Sequence, residues 1–253
     1  MSLKDELSIA FDIQHSLLPK LDKFNANEPR IEAAGVLKPA LTVGGDLYNV
    51  FFVDRSHLCV CMGDVSGKGI SAALFMAVVQ TLVRSAARYN ASPAAILDHV
   101  NKDRAANNES CMFVTLFIAV INLRSGTMAY CNGGHNPPVI IHPDGKAVFL
   151  RSMNGGLVGM TDVITYHDDY LVLKPNDTLF LYTDGVTEAF SKEGNMYGDA
   201  RLNAFLQGKN VLSAQGIVDA VWNDVENFAK GAPQSDDISM LAIRYLGNEV
   251  KNA

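Results

Sequence analysis

Four aspartate positions in this chain stand where apolar, strand-like runs begin or end. Asp46 follows Gly44-Gly45 at the start of LYNVFFV, and Asp64 closes HLCVCMG. Asp184 ends TLFLYT and precedes Gly185, and Asp236 with Asp237 stands immediately before ISMLAI. Neighbouring glycines allow backbone to approach a ligand closely. One such aspartate is an ordinary turn cap, but several on one rim of a sandwich would form a carboxylate cluster. With no Lys or Arg neighbours expected there, the cluster would repel itself unless cations sat inside it. Oxygen-only ligands favour Mg²⁺ or Mn²⁺, and two such ions about 3.5–4 Å apart are the usual arrangement for phosphoryl hydrolysis.

Other phosphate and acyl chemistries fail on spacing. The residues six positions after Cys59, Cys61, Cys111 and Cys131 are Val65, Gly67, Phe117 and Pro137, so no cysteine-phosphatase loop with its arginine is present. Gly63-Asp64-Val65-Ser66-Gly67 has one residue too many for a serine-hydrolase elbow. The glycines around Lys68 do not fit a Walker phosphate loop either. The cysteines lack a Cys-x-x-Cys pair, so zinc is not expected, and all four are read as reduced core thiols of a cytosolic protein.

The elements that must position the aspartates follow from pattern. Residues 1–20 read as an amphipathic helix or linker stub closed by Pro19, a segment that could join an upstream sensor domain or form a homodimer. IEAAGVL, LYNVFFV and HLCVCMG read as strands. Residues 69–88 read as a largely buried helix, and Ser92-Pro93 starts a second one. MFVTLFIAVI, TMAYCN and PVIIH suggest an antiparallel meander, followed by strands YLVL and TLFLYT. A helical stretch over 199–206, a longer helix from Ser213 and a last strand ISMLAIRY complete the order. Grouped rather than alternating helices predict an α+β fold with antiparallel sheets.

The chain has 253 residues, 48% of them apolar, with 27 acids against 21 bases and a net charge of -6. Such a balance argues against a nucleic-acid scaffold binder. Apolar runs of about ten residues are half of what a bilayer crossing needs, and no basic-then-apolar secretion signal opens the chain, so a cytoplasmic location is expected.

The strings VGGDLYNVF, CMGDVSGKGISAALFMA, MFVTLFIAVI, YCNGGHNPPVII, LYTDGVTEAF, MYGDARL and QSDDISMLAI, in this order, resemble the SpoIIE/RsbU branch of the PPM metal-dependent serine/threonine protein phosphatases. The resemblance implies a sandwich of two antiparallel β-sheets flanked by helices, with the phosphatase domain over 21–246 and a tail over 247–253. It also implies two Mn²⁺ or Mg²⁺ ions. Asp64 matches the aspartate that bridges both, with Asp46 and the carbonyl of Val65 serving the second ion and Asp184 and Asp236 the first. A water bridging the ions would attack a phosphoserine or phosphothreonine in line, with Asp64 and Asp184 acting through it. The implied substrate is a phosphorylated, STAS-type anti-sigma-factor antagonist in partner-switching signalling.

This chain departs from the family pattern at several points. Ser66 stands where animal members carry a histidine proposed as general acid, and Asp237 stands where they carry Asn. Asn49 replaces an aspartate that would give the site one more support. Arg30 is a candidate arginine for gripping phosphate, and His135 in GGHNPP reads as a structural turn residue with a satisfied imidazole. The helix after Gly69 is placed to couple regulation to metal occupancy. Two rival readings are a metal-poor regulatory or binding module on the same fold and a two-metal phosphodiesterase.

Overall fold

The computed structural model describes residues 2–106 and 108–247; most of the 247–253 tail expected from sequence therefore lies outside the described residues. In chain order the elements are α1 (Leu3–Leu17), α2 (Leu21–Asn27), β1 (Ile31–Lys38), β2 (Leu47–Phe52), β3 (His57–Val65), α3 (Ile70–Ala87), α4 (Pro93–Ala106), β4 (Val114–Asn122), β5 (Thr127–Gly133), β6 (Val139–Ile141), β7 (Ala147–Phe149), β8 (Asp169–Val172), β9 (Thr178–Tyr182), α5 (Asp184–Thr187), α6 (Gly198–Leu206), α7 (Ala214–Phe228) and β10 (Ile238–Tyr245). Two five-stranded antiparallel sheets form, ordered β1-β10-β9-β6-β7 and β2-β3-β4-β5-β8. The expected α+β sandwich is the observed architecture.

Strand alternation explains the layering. Leu58, Val60 and Met62 of β3 point into the core between the sheets, where they meet Leu241 and Ile243 of β10. The intervening Cys59 and Cys61 point outward under α3 and α4. On the other sheet, Met240 and Ala242 face α7 through Ile217, Val218 and Val221. Because helices cover the outer faces, the central strands are apolar on both sides and read as near-continuous apolar runs.

Ser92 and Ser213 accept backbone N–H groups at the starts of α4 and α7, as their positions predict. The expected meander is only half present. β4 and β5 pair as a hairpin, but β6 crosses to the other sheet and pairs with β9, while β8 takes the edge beside β5. Of the four thiols, three are buried and Cys111 is exposed, so the core reading fails for Cys111. It sits in a loop at φ 53 that no periodicity marks.

Helix α3 is, among the described residues, the one helix long and apolar enough by length and composition to cross a bilayer. The ten-residue runs in the sequence understate it because the helix continues through Gln80 and Arg84. Its Ala72, Met76, Val79 and Val83 are buried in the outer core, which accounts for the apolar composition. α1 packs alongside it, with Leu17 against the same core and the Leu17 carbonyl accepting from Gln80.

Candidate active site

Antiparallel pairing sends the C-terminal end of β3 and the N-terminal end of β2 to one rim of their sheet. The end of β9 and the start of β10 share the facing rim. Asp46, Asp64, Asp184, Asp236 and Asp237 all fall there, and the alternation that sends Val60 and Met62 inward also sends Asp64 inward. Thr183 joins the two sheets at this rim: its Oγ1 donates to Asp46 Oδ2 at 2.8 Å and accepts from Ser239 N at 3.0 Å.

Asp237 is a structural member of the group. Its Oδ1 accepts from Ala40 N and its Oδ2 from Gly45 N, both at 2.7 Å, which fixes the loop that delivers Asp46. Gly44 is required by this contact, since a Cβ there would come within 2.0 Å of Asp237 Oδ2. Gln14 of α1 holds the other side of the loop by donating to the Gly44 carbonyl and accepting its N–H. The Val65 carbonyl lies against Gly45, where a Cβ would approach it to 2.9 Å.

Electrostatics show the carboxylates acting on one another. Burial, then repulsion from Asp184, Asp236 and Asp237, pushes Asp64 up to about 7. Burial, Glu188 and Asp236 push Asp184 up to about 6. Asp46, fully enclosed and facing Asp64 and Asp237, is held well above the ordinary carboxylate range. Among the described residues no three His, Cys, Asp or Glu side chains converge on one ion-sized point as they stand. The donor chemistry nonetheless fits hard divalent ions: the rim offers oxygen atoms only, and its carboxylates resist ionising together without a cation.

One cation does reach the rim, contrary to the expectation of none. Lys68 Nζ lies 2.9 Å from Asp236 Oδ2. The sequence hid this contact because the two residues lie far apart along the chain and nothing in their spacing links them. Thr183 and Gln14 were likewise invisible to pattern, since a hydroxyl and an amide aimed across the fold leave no periodic mark.

Other expectations are corrected. Arg30 is paired with Glu28 through two bonds of 2.6 and 2.7 Å and precedes the far end of β1, about 25 Å from the rim at strand rise, so it cannot grip phosphate there. Asn49 points under α3, where Arg84 donates to its Oδ1 at 3.2 Å; it is on the face of β2 opposite Asp46, so a side chain at this position lends the rim no direct support. Ser66 is bonded through backbone and Oγ to Phe113, so its hydroxyl is engaged in holding the loop.

His135 is buried, its Nδ1 is 2.9 Å from Thr115 Oγ1, and burial pushes it down to about 3 against a weaker opposing interaction with the Tyr182 backbone. It is a neutral structural residue, as expected, but only half satisfied: Nε2 has no partner of hydrogen-bond geometry.

Beside the rim opens a cleft of about 420 Å³ whose wall includes Gly185 and Ser235, with Trp222 and Phe190 among its apolar residues and Lys38 and Lys230 among its charged ones.

The SpoIIE family (stage II sporulation protein E) matches residues 54–246. The chain belongs to this family and carries its PP2C-type phosphatase domain. It is 31% identical over 253 residues to IcfG of Synechocystis, covering 89% of this chain and 38% of that protein. It is 25% identical over 243 residues to the phosphoserine phosphatase RsbU of Bacillus subtilis, covering 96% of this chain and 70% of RsbU. In fold it is similar to the SiaA PP2C domain of Pseudomonas aeruginosa, with a TM-score of 0.84, 21% identity and 96% of each chain covered. The PP2C domain of SpoIIE from Bacillus subtilis gives a TM-score of 0.74 at 16% identity, over 87% of this chain and 63% of that one.

Proposed function

We propose that this chain is a metal-dependent phosphoserine/phosphothreonine protein phosphatase whose rim carboxylates hold two Mn²⁺ or Mg²⁺ ions. The observation that carries the reading is the meeting of five aspartates from both sheets in one partly buried place, three with pKa values raised by burial and by neighbouring carboxylates. Asp64 would serve both ions, Asp46 and the Val65 carbonyl one of them, and Asp184 and Asp236 the other. When bound, such ions supply a water nucleophile and neutralise charge growing on the phosphoryl oxygens.

The chain's own contribution is placement. Thr183 orients Asp46, Asp237 and Gln14 fix the loop before it, and β3 presents Asp64 from a strand rather than a mobile segment. The cleft beside Gly185 gives the protein segment carrying the phosphoresidue somewhere to lie.

The substrate we propose is a phosphorylated STAS-type anti-sigma-factor antagonist in a cytoplasmic partner-switching pathway; kinship with RsbU supports it. A regulatory contact, either an upstream sensor domain or a second copy of the chain, would use α1, whose Ile9 and Ile13 are exposed. Residues 1–20 would then be a regulatory helix ahead of the domain at 21–246.

The test is phosphate release from a phosphoserine protein with Mn²⁺, comparing the wild type with Asp184→Asn. Release that falls by several orders of magnitude in the variant is expected. Equal release in both removes the metal assignment, no release from either favours a binding module, and activity on diesters alone favours a phosphodiesterase.

A further inference from the structure

Three of the rim carboxylates differ in the partners that hold them. Asp46 takes a hydroxyl from Thr183, and Asp237 takes backbone N–H groups. Asp236 is the one held by a cation among the described residues. Its Oδ1 accepts from Asp237 N at 2.9 Å, and its Oδ2 faces the Lys68 ammonium. Both oxygens of this proposed ligand are therefore engaged, one by a fixed backbone group and one by a side chain that can leave.

Lys68 is built to leave. It stands between Gly67 at φ 86 and Gly69 at φ 74, in the loop joining β3 to α3, and its side chain is 45% exposed. The surroundings of Gly67 are open space. Its ammonium also donates to the Ser235 carbonyl, so it spans from the loop after Asp64 to the loop before β10. A flexible four-carbon stem with a compact charge can swing into water at little cost, unlike a buried bidentate pair.

We propose that Lys68 is a tethered counter-cation of Asp236: it holds the oxygen that a divalent ion would take, so that an ion binds at this edge of the rim by displacing the lysine. The proposal rests on the metal reading above. The negative surroundings that favour the ammonium are the rim carboxylates, with Asp236 in direct contact at 2.9 Å. The same carboxylates attract the ion, so lysine and ion compete for one place. Setting Lys68 in contact with Asp236 makes the affinity for that ion lower than the carboxylates alone would give.

The experiment is Mn²⁺ binding to the full chain, followed by the electron paramagnetic resonance signal of free Mn²⁺, with no substrate present. Lys68→Met is expected to tighten one of the bound ions about three- to tenfold, while Lys68→Arg, which keeps the ion pair, stays near the wild type. Lys38→Met removes a nearby charge that is paired with Glu226 at 3.8 Å instead, and should change nothing. In an Asp236→Asn background, Lys68→Met should have no further effect.

Unchanged or weaker binding in Lys68→Met overturns the proposal, weaker binding marking Lys68 as a plain loop staple. So does an equal gain in Lys38→Met, or a gain that survives Asp236→Asn, because either would be a general effect of charge. A wild-type chain that binds no Mn²⁺ fails earlier, at the metal reading itself, and the role of Lys68 falls with it.

Discussion

Five residues of one type meet at the rim, yet their environments give them opposite effects on stability. Asp64 is surrounded by carboxylates and has no cation in contact, so ionising it costs free energy in the metal-free fold. Asp64→Asn should therefore stabilise the metal-free protein at pH 7.5 by about 1–3 kcal/mol while removing Mn²⁺-dependent activity. Asp237 instead satisfies the buried N–H groups of Ala40 and Gly45. Asp237→Ala leaves both without an acceptor and should cost about 2–4 kcal/mol. Urea unfolding of both variants with a chelator present checks the pair of signs. A loss of stability in Asp64→Asn would show that its repulsion is already relieved in the metal-free fold.

The aspartates were legible in sequence because each follows or precedes an apolar run and most sit beside glycine. The strand ends of an antiparallel sandwich gather such positions on one rim without any long-range signal. Lys68, Thr183 and Gln14 were not legible, because what matters in each is a partner brought close only by the fold.

At the scale of elements, the two sheets are tied at the rim by Thr183, which directly follows β9 of one sheet and bonds Asp46, just before β2 of the other. Thr183→Val keeps the shape and removes both hydrogen bonds. It should cost about 1–3 kcal/mol in thermal or urea unfolding and lower Mn²⁺-dependent turnover, whereas Thr183→Ser should retain both properties. An unchanged turnover in Thr183→Val would mean that Asp46 needs no orienting partner.

Long, strongly patterned elements were readable: α3 from its apolar run, α4 and α7 from their serine caps, and β3 and β10 from doubly buried faces. Some short ones, unlike β6 and β8, were not. α2 buries no side chain, β7 has three residues, and α5 is a single turn that begins at Asp184. Sheet membership was also hidden for β6, since local pattern gives a strand but not its neighbour, and β6 leaves the β4–β5 hairpin for the opposite sheet.

For the whole molecule, the raised carboxylates set a pH dependence opposite to that of ordinary ion-paired aspartates. Asp64 and Asp184 rise to about 7 and about 6 from 3.8, so between these values the folded chain keeps protons that the unfolded chain has released. That contribution is complete below the unfolded value and is lost as pH rises through the folded ones. His135, lowered from 6.5 to about 3, acts in the other direction as pH falls. Asp64 and Asp184 together with Asp46 outweigh one histidine near neutrality. The metal-free protein should melt at a higher temperature at pH 6 than at pH 8 in calorimetry, and Asp64→Asn should flatten the difference. A melting temperature that falls on acidification over this range would remove the repulsive cluster from the description.

Bound cations should do the work of those protons at higher pH, which makes the ions themselves the most direct observation. Crystals grown with Mn²⁺ and measured for its anomalous scattering are expected to show two peaks at the rim. One should lie among Asp46, Asp64 and the Val65 carbonyl, and the other among Asp64, Asp184 and Asp236. A map with no peak at the rim, or with Mn²⁺ held only elsewhere on the chain, would contradict the assignment of this site.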